Sequence, residues 1–367
     1  MLPTALAQLI EAIGKLLFGL FFVALAAHLS LPKEKTAAYA ILGLSVASCL
    51  TYLVLRVLSK ELEKPIGLDQ KAAHAILFDT LKSAFPITAS SLAATLASSL
   101  DLLFLMRALQ SVGYSPDAAN AAWGNYSALV LPLFHMPQVL LVPIASATLP
   151  ALRGFVAKGE GDMAEKTVKS AMSVTVSLSL LAALGLSLFS RDILSLVFTD
   201  EAAVARAYPQ LSLVAMAIFP FGLMSLSATF LQAYGKLWLP TVSLLLGAIL
   251  KILITVFGVS LLGEAVSAFG TLLSYTLSAA INIASLSRLT KRDVMKKLIT
   301  KPFVLALLSV GGALAVRILL SHASLSPKPA TLFSIGTAAI LAGVFSWLLG
   351  AITKEDLSAL GMTKSIE

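Results

Sequence analysis

The chain has 367 residues, of which 58% are hydrophobic and only 13% charged, and its mean hydropathy is +0.91. Soluble domains carry about 25% charge, so composition excludes a domain solvated on all sides. The formal net charge of +8 does not imply nucleic acid, because no basic stretch is interleaved with exposed aromatics and basic residues of membrane proteins collect in cytoplasmic loops.

Apolar runs of about 20 residues match a hydrocarbon core ~30 Å thick. They are continuous, unlike the ten-residue alternation of a membrane barrel. The sequence therefore predicts an all-α polytopic membrane protein with ten spans, near residues 8–29, 36–57, 84–106, 125–150, 168–190, 209–234, 239–262, 265–287, 302–320 and 330–350. Leu16 to Ala27, in the first span, ends near a cleavage-like "ALA", but no basic stretch precedes it, and Glu11 and Lys15 cancel. It does not read as a cleaved signal peptide. Cys49, the single cysteine, lies in the second span; it excludes an intrachain disulfide or a multi-cysteine metal site and is expected to pack. Loop 58–83 mixes charges at helical spacing after Pro65 and reads as an interfacial helix. The fourth span holds Pro132, Pro137 and Pro143. Each removes a helical hydrogen bond, so a bent or broken helix is expected there. Residues 191–210 read as a short amphipathic connector on the outer side, and the sixth span, with Pro220 and Gly222, is expected to bend.

Of the 27 Lys and Arg residues, 18 fall on one side of this ten-span arrangement and 7 on the other, with Lys15 and Lys251 inside spans. That bias places both termini in the cytoplasm of a cell-membrane protein.

The opening "LPTALAQLIEAIGKLLFGL" has a near-echo at Leu239, "LPTVSLLLGAILKILITVFG". The echo aligns spans 1 and 2 with spans 7 and 8. Spans 3 to 8 then form a six-helix unit, and spans 1 and 2 are the last members of an earlier unit. The expected organisation is 1–58, the last two helices of an incomplete N-terminal lobe; 59–83, a linker helix; 84–288, a six-helix lobe; and 289–367, two extra helices and a cytoplasmic tail.

Three stretches carry a family resemblance: the opening one, "FPITASSLAATLASSLDLLFLMRALQSVGYSPDAANAAWGNYSALVLPLFHMPQVLLVPIASATLPAL", and "FLQAYGKLWLPTVSLLLGAILKILI". The chain resembles the stage V sporulation protein B group of polysaccharide and lipid-linked oligosaccharide flippases, within the multidrug/oligosaccharidyl-lipid/polysaccharide exporter superfamily. The resemblance implies a fourteen-helix plan of two six-helix lobes plus two helices, of which this chain looks like helices five to fourteen. It departs from that plan by lacking the first four, which implies a truncation, a misplaced start, or a separate chain supplying the missing helices. The implied function is flipping of a lipid-linked polysaccharide or peptidoglycan precursor by alternating access. Two other readings stay open: a drug or cation antiporter of the same superfamily, and a non-transporting truncated membrane protein. The implied partners are a lipid-linked glycan and membrane lipids, with no nucleic acid.

An ionisable group in a span costs roughly 2.5–3.5 kcal/mol at its centre on insertion scales, so the few present are the site candidates. Lys15 and Lys251 either face a cavity, where ammonium groups would hold a lipid diphosphate, or snorkel or pair inside a bundle. Asp101 is a candidate ion or proton site, or a bond to a neighbouring helix. Arg107, six residues on, points about 120° away and lies about 9 Å further along, so the two are not an intrahelical pair. Asn125, Tyr126, His135 and Gln138 are polar candidates on the kinked span; Gln138 follows Pro137 and is placed to satisfy a freed carbonyl. No His/Cys/carboxylate cluster has metal spacing, and neither a phosphate-cradling glycine loop nor a serine nucleophile elbow is present. The sequence predicts no enzyme activity, cofactor or metal.

Overall fold

The computed structural model describes residues 2–59, 76–78, 80, 81, 85, 88, 92, 100–289, 300–322, 326–353 and 356. Every regular element among the described residues is a helix. Seven of the helical stretches are long and apolar enough to cross a membrane, or eight if the bent pair of helices at Glu201–Ala233 is one span. The longest stretch, Leu239–Leu286, contains two helices joined by a short 3-10 turn. The expected third span, 84–106, is described continuously only from residue 100, and most of the expected linker helix 59–83 lies outside the described residues.

The chain divides into two compact units, Met1–Phe78 and Asp79–Glu367. The first contains α1 (Leu2–His28) and α2 (Lys33–Ser59), packed along each other as a hairpin. Gly43 makes this possible: a Cβ there would run into the α1 backbone at Phe18 and Gly19. Cys49 is exposed, contrary to the packing role expected of it, because among the described residues of its unit α2 buries a face against α1 alone.

The second unit begins its continuous description with α3 (100–111). Asp101, Leu105 and Ala108 are its buried stripe, at the spacing that repeats on one helical face. A left-handed Gly113 ends the helix, and Ser115 caps α4 (Pro116–Asn125) by accepting the Ala118 N–H, with Pro116 at its first position. This helix was not anticipated within the loop 107–124, although a serine cap followed by proline is a start signal.

The proline-rich fourth span is broken as expected. A π-helical segment, Tyr126–Val130, leads into the short α5 (Leu131–His135), a turn, and α6 (Gln138–Lys158). The carbonyl four residues before Pro132 is Ala128, inside the π segment, and the turn falls at Met136–Pro137. α7 (Gly161–Leu188) is buried along much of its length, packed against α6, α9, α10 and α13.

The connector expected at 191–210 resolves into two helices, α8 (Ser190–Val197) and the first turns of α9 (Glu201–Ala215), which Asp200 caps through the amides of Ala202 and Ala203. α9 meets α10 (Ile218–Ala233) at a 40° bend. Pro220 explains its location: the carbonyl it deprives of a partner belongs to Met216, at the bend.

α11 (Leu239–Leu262) and α12 (Val266–Leu286) form a hairpin, and α13 (Thr300–His322) packs on α7 and α14 (Pro327–Leu349). The Arg317 guanidinium of α13 grips Asp192 of α8 with both ends of its fork, Nη2 to Oδ1 at 2.9 Å and Nε to Oδ2 at 3.2 Å. Large apolar side chains point outward from these helices, Leu261 at 88% and Trp347 at 80% exposed. Such exposure suits hydrocarbon and not water.

Candidate functional site

Helix α3 and the distant hairpin of α11 and α12 assemble the ionisable centre of the second unit. On α11, Ser243, Gly247, Lys251, Thr255 and Val259 recur at every fourth residue, so they form one stripe. On α12, Ser267, Gly270, Thr271, Ser274, Ser278 and Asn282 face it. Small residues let two membrane helices approach closely, and hydroxyls then bond across the gap. Ser243 donates to Asn282 Oδ1 at 2.7 Å, Ser278 donates to the Ser243 carbonyl at 2.9 Å, and Asn282 donates to the Met224 carbonyl of α10 at 3.4 Å.

Lys251 sits at the middle of α11, with its stem laid over Gly270; a Cβ at that position would lie 3.0 Å from Lys251 Cγ. Its ammonium donates to Asp101 Oδ2 of α3 at 2.8 Å, and the Ser267 hydroxyl donates to the same oxygen at 2.9 Å. The two members of the pair differ in access. The Asp101 side chain is 6% exposed and the Lys251 side chain 19%. Tyr126, at the start of the π segment, has its buried hydroxyl among Asp101, Ser267 and Thr271, without a hydrogen-bond partner. Thr255, one turn beyond Lys251, also has a buried, unpartnered hydroxyl.

Of the other sequence candidates, Lys15 lies in the first unit. Its ammonium meets Glu11 at 2.7 Å, one turn back on α1, and Ser48 of α2 donates to that carboxylate at 3.4 Å. The Lys15 side chain remains 44% exposed. Arg107 is exposed on the side of α3 away from the buried stripe. Asn125 donates to the Ala203 carbonyl at 3.3 Å and so ties the π segment to α9. Gln138 reaches back across the proline break to the Phe134 carbonyl at 3.5 Å and bonds the exposed His135 ring at 3.1 Å. Within the second unit, then, the structure brings Asp101 and Lys251 together, and it leaves Arg107, Asn125 and Gln138 in separate surroundings. Ser267, Thr271 and Thr255 were missed. The signal for them was the four-residue spacing of small and hydroxyl residues along both helices of the hairpin.

Besides an apolar cavity lined by Pro137, Leu181, Phe189 and Ile335, two cavities with charged linings lie elsewhere in this unit. One of about 330 Å³ is lined by Asp162, Glu165 and Tyr234, where burial and then the Glu165 charge push the Tyr234 hydroxyl above its ordinary pKa. Its acids make it a poor seat for an anion. The other, of about 600 Å³, is lined by Arg191, Lys328 and Glu201 near the start of α9. No cluster of three or more His, Cys, Asp or Glu able to hold a metal occurs among the described residues.

The lysine–carboxylate pair held among α3, α11 and α12, beside a proline-broken helix, is the functional-site candidate of this unit. The sequence family described as Lipid II flippase MurJ matches residues 4–339. The chain belongs to the MurJ family. Among curated proteins none matches it. Among solved structures, a MOP superfamily transporter from Pyrococcus furiosus is similar over 76% of this chain and 67% of that one, with 17% identity and a TM-score of 0.49. The binding pocket of that transporter is described as reversed in polarity, which suggests a different function for that protein. This MurJ-family chain is thus a multi-pass membrane protein, and its family is one of transporters, not enzymes.

Proposed function

We propose that this chain moves a lipid-linked polysaccharide or peptidoglycan precursor across the membrane by alternating access, with Lys251 as a contact for the diphosphate of the head group. Membership of the MurJ family supports the reaction class. The observation that carries the role of Lys251 is its ammonium, in the middle of an apolar helix, bound to a buried carboxylate and itself the more accessible member of the pair. A lipid diphosphate concentrates negative charge on an otherwise apolar molecule. An ammonium on a flexible stem can hold such a group without a fixed geometry, and the pair keeps that charge from being orphaned in hydrocarbon while the substrate is absent.

The finer points belong to the same proposal. The chain falls in the stage V sporulation protein B group, lies in the plasma membrane with both termini cytoplasmic, and carries residues 84–288 as one six-helix lobe with two further helices after it. Lys15, beside Glu11 on an accessible face of α1, is offered as an anion contact of the first unit.

Reconstitution in vesicles holding a fluorescent short-chain lipid diphosphate sugar tests the reading. Wild-type chain should accelerate transfer of the probe between leaflets. The pair-neutral Lys251→Met/Asp101→Asn variant, which leaves no charge buried alone, should fold and lose at least tenfold of that rate. Undiminished transfer by the folded double variant removes Lys251 from the head-group site.

A further inference from the structure

Helix α8 is polar on one side and apolar on the other, and a cavity lies on each. Arg191 and Ser195, one turn apart and exposed, line the cavity of about 600 Å³, together with Thr199 and Glu201 around the start of α9 and Lys328 in the first turn of α14. Phe189 and Ile193, on the opposite side, line the apolar cavity of about 310 Å³, whose wall also includes Ile335, Ala338 and Ala339 of α14. The two cavities thus share α8 and α14. The larger one gathers two cations and a carboxylate without joining them: among the described residues, none of Arg191, Glu201 and Lys328 is in an ion pair. Arg191 rests over the Tyr208 ring, 5.7 Å from its centroid. The nearby acids are engaged elsewhere, Asp200 in capping α9 and Asp192 with Arg317. Lys328 opens the apolar span Lys328–Leu349, and basic and aromatic side chains at the end of a span sit at the level of the lipid head groups. Ile335 and Ala339 follow Lys328 by seven and eleven residues, so all three share one face of α14, with Ile335 about 10 Å deeper. A charged cavity at head-group depth, with an apolar one about two turns beneath it, matches the profile of a phospholipid.

We propose that the corner formed by α8, α9 and α14 binds one phospholipid with a phosphoethanolamine head group: Arg191 and Lys328 take the phosphate, Glu201 takes the primary ammonium, and an acyl chain enters the apolar cavity. Charge complementarity selects this head group. A purely anionic head would set like charge against Glu201. A choline head carries its positive charge on a quaternary nitrogen with no N–H, so it cannot make the charge-assisted hydrogen bond that an ammonium gives a carboxylate. The hydroxyls of Ser195 and Thr199 supply further donors for the phosphate. The site shares no residue with the Lys251–Asp101 pair and does not depend on the role proposed for it. A lipid seated there contacts all three helices, so its binding also reads as a rise in thermal midpoint.

The test uses the full chain, delipidated in detergent, with dioleoyl phosphatidylethanolamine, phosphatidylcholine or phosphatidylglycerol added singly and bound lipid counted by native mass spectrometry. Wild-type chain should retain one phosphatidylethanolamine about fivefold more tightly than either of the others. Glu201→Gln should hold phosphatidylethanolamine and phosphatidylcholine alike, and Arg191→Ala/Lys328→Ala should lose about tenfold of the retention. Ala339→Phe, which fills the apolar cavity, should lose the lipid and still bind glycerophosphoethanolamine, the head group alone. Equal retention of phosphatidylethanolamine and phosphatidylcholine by the wild type overturns the proposal, and that comparison needs no variant. Tighter retention of phosphatidylglycerol also overturns it and assigns the site to an anionic lipid. Undiminished lipid retention by Ala339→Phe overturns the seat given to the acyl chain, and a preference for phosphatidylethanolamine that survives Glu201→Gln overturns the role of Glu201.

Discussion

Lys251 and Asp101 lie 150 residues apart in sequence and 2.8 Å apart in the fold, and their energetics are those of a pair in low dielectric. Breaking a buried pair by removing one partner costs about 3–5 kcal/mol, largely because the other charge is stranded, whereas replacing both can be nearly neutral. Lys251→Met alone should therefore lower the thermal midpoint in detergent clearly. Adding Asp101→Asn should restore most of the loss, a non-additivity visible in a double-mutant cycle. Tyr126→Phe makes the opposite point. Its hydroxyl is buried and unpartnered, so removing it should leave stability unchanged or raise it by about 1 kcal/mol. A large loss would mean that the hydroxyl has a bonded partner. The sequence exposed both ionisable residues, because charge stands out in an apolar span. It did not pair them, since nothing local connects helices so far apart along the chain. The hydroxyls of Ser267, Thr271 and Thr255 escaped notice for a related reason: serine and threonine are common in membrane helices and acquire meaning only once a charged neighbour is known.

Helices were the most legible level. Their all-helical class and rough positions follow from apolar length, although seven or eight candidate spans stand among the described residues against the ten expected, and the two breaks follow from proline chemistry, with Pro137 and Pro220 each marking one. Helix α4 was hidden because short alanine-rich segments lack the span-length signal, and its Ser115–Pro116 start was the only cue. Close approach of helices was also hidden, because a glycine's neighbours are set by tertiary packing. Gly247 shows the consequence: an added Cβ would lie 2.7 Å from the Ser274 carbonyl of α12. Gly247→Ala should force the α11–α12 hairpin apart and cost about 1–3 kcal/mol. Gly311→Ala in α13, where an added Cβ meets nothing within 4 Å, should be neutral or slightly stabilising in the same melting assay. The Arg317–Asp192 fork ties α13 to α8 through partly exposed groups. Solvent screening limits its worth to about 1 kcal/mol, so Arg317→Lys should cost less than Gly247→Ala.

At the scale of the molecule, the excess of Lys and Arg on one side of the spans gives an orientation that can be checked directly. A fluorescent protein that matures only in the cytoplasm should light up when fused after Glu367, and should stay dark when inserted in the outer connector between α8 and α9. A flippase family and the all-helical class were recognisable from sequence because both rest on patterns spread over hundreds of residues, although the family that matches is MurJ and the group expected was that of stage V sporulation protein B. The exchange of one buried cation between two anions was not, because it depends on a single contact and on which of its members is accessible. Affinity for a farnesyl diphosphate sugar, compared between wild type and Asp101→Asn at neutral pH, tests that exchange most directly. Asp101→Asn should bind more tightly, since the probe no longer competes with a carboxylate for Lys251, and binding should be lost when Lys251→Met is added. Equal affinity in all three proteins would contradict the exchange.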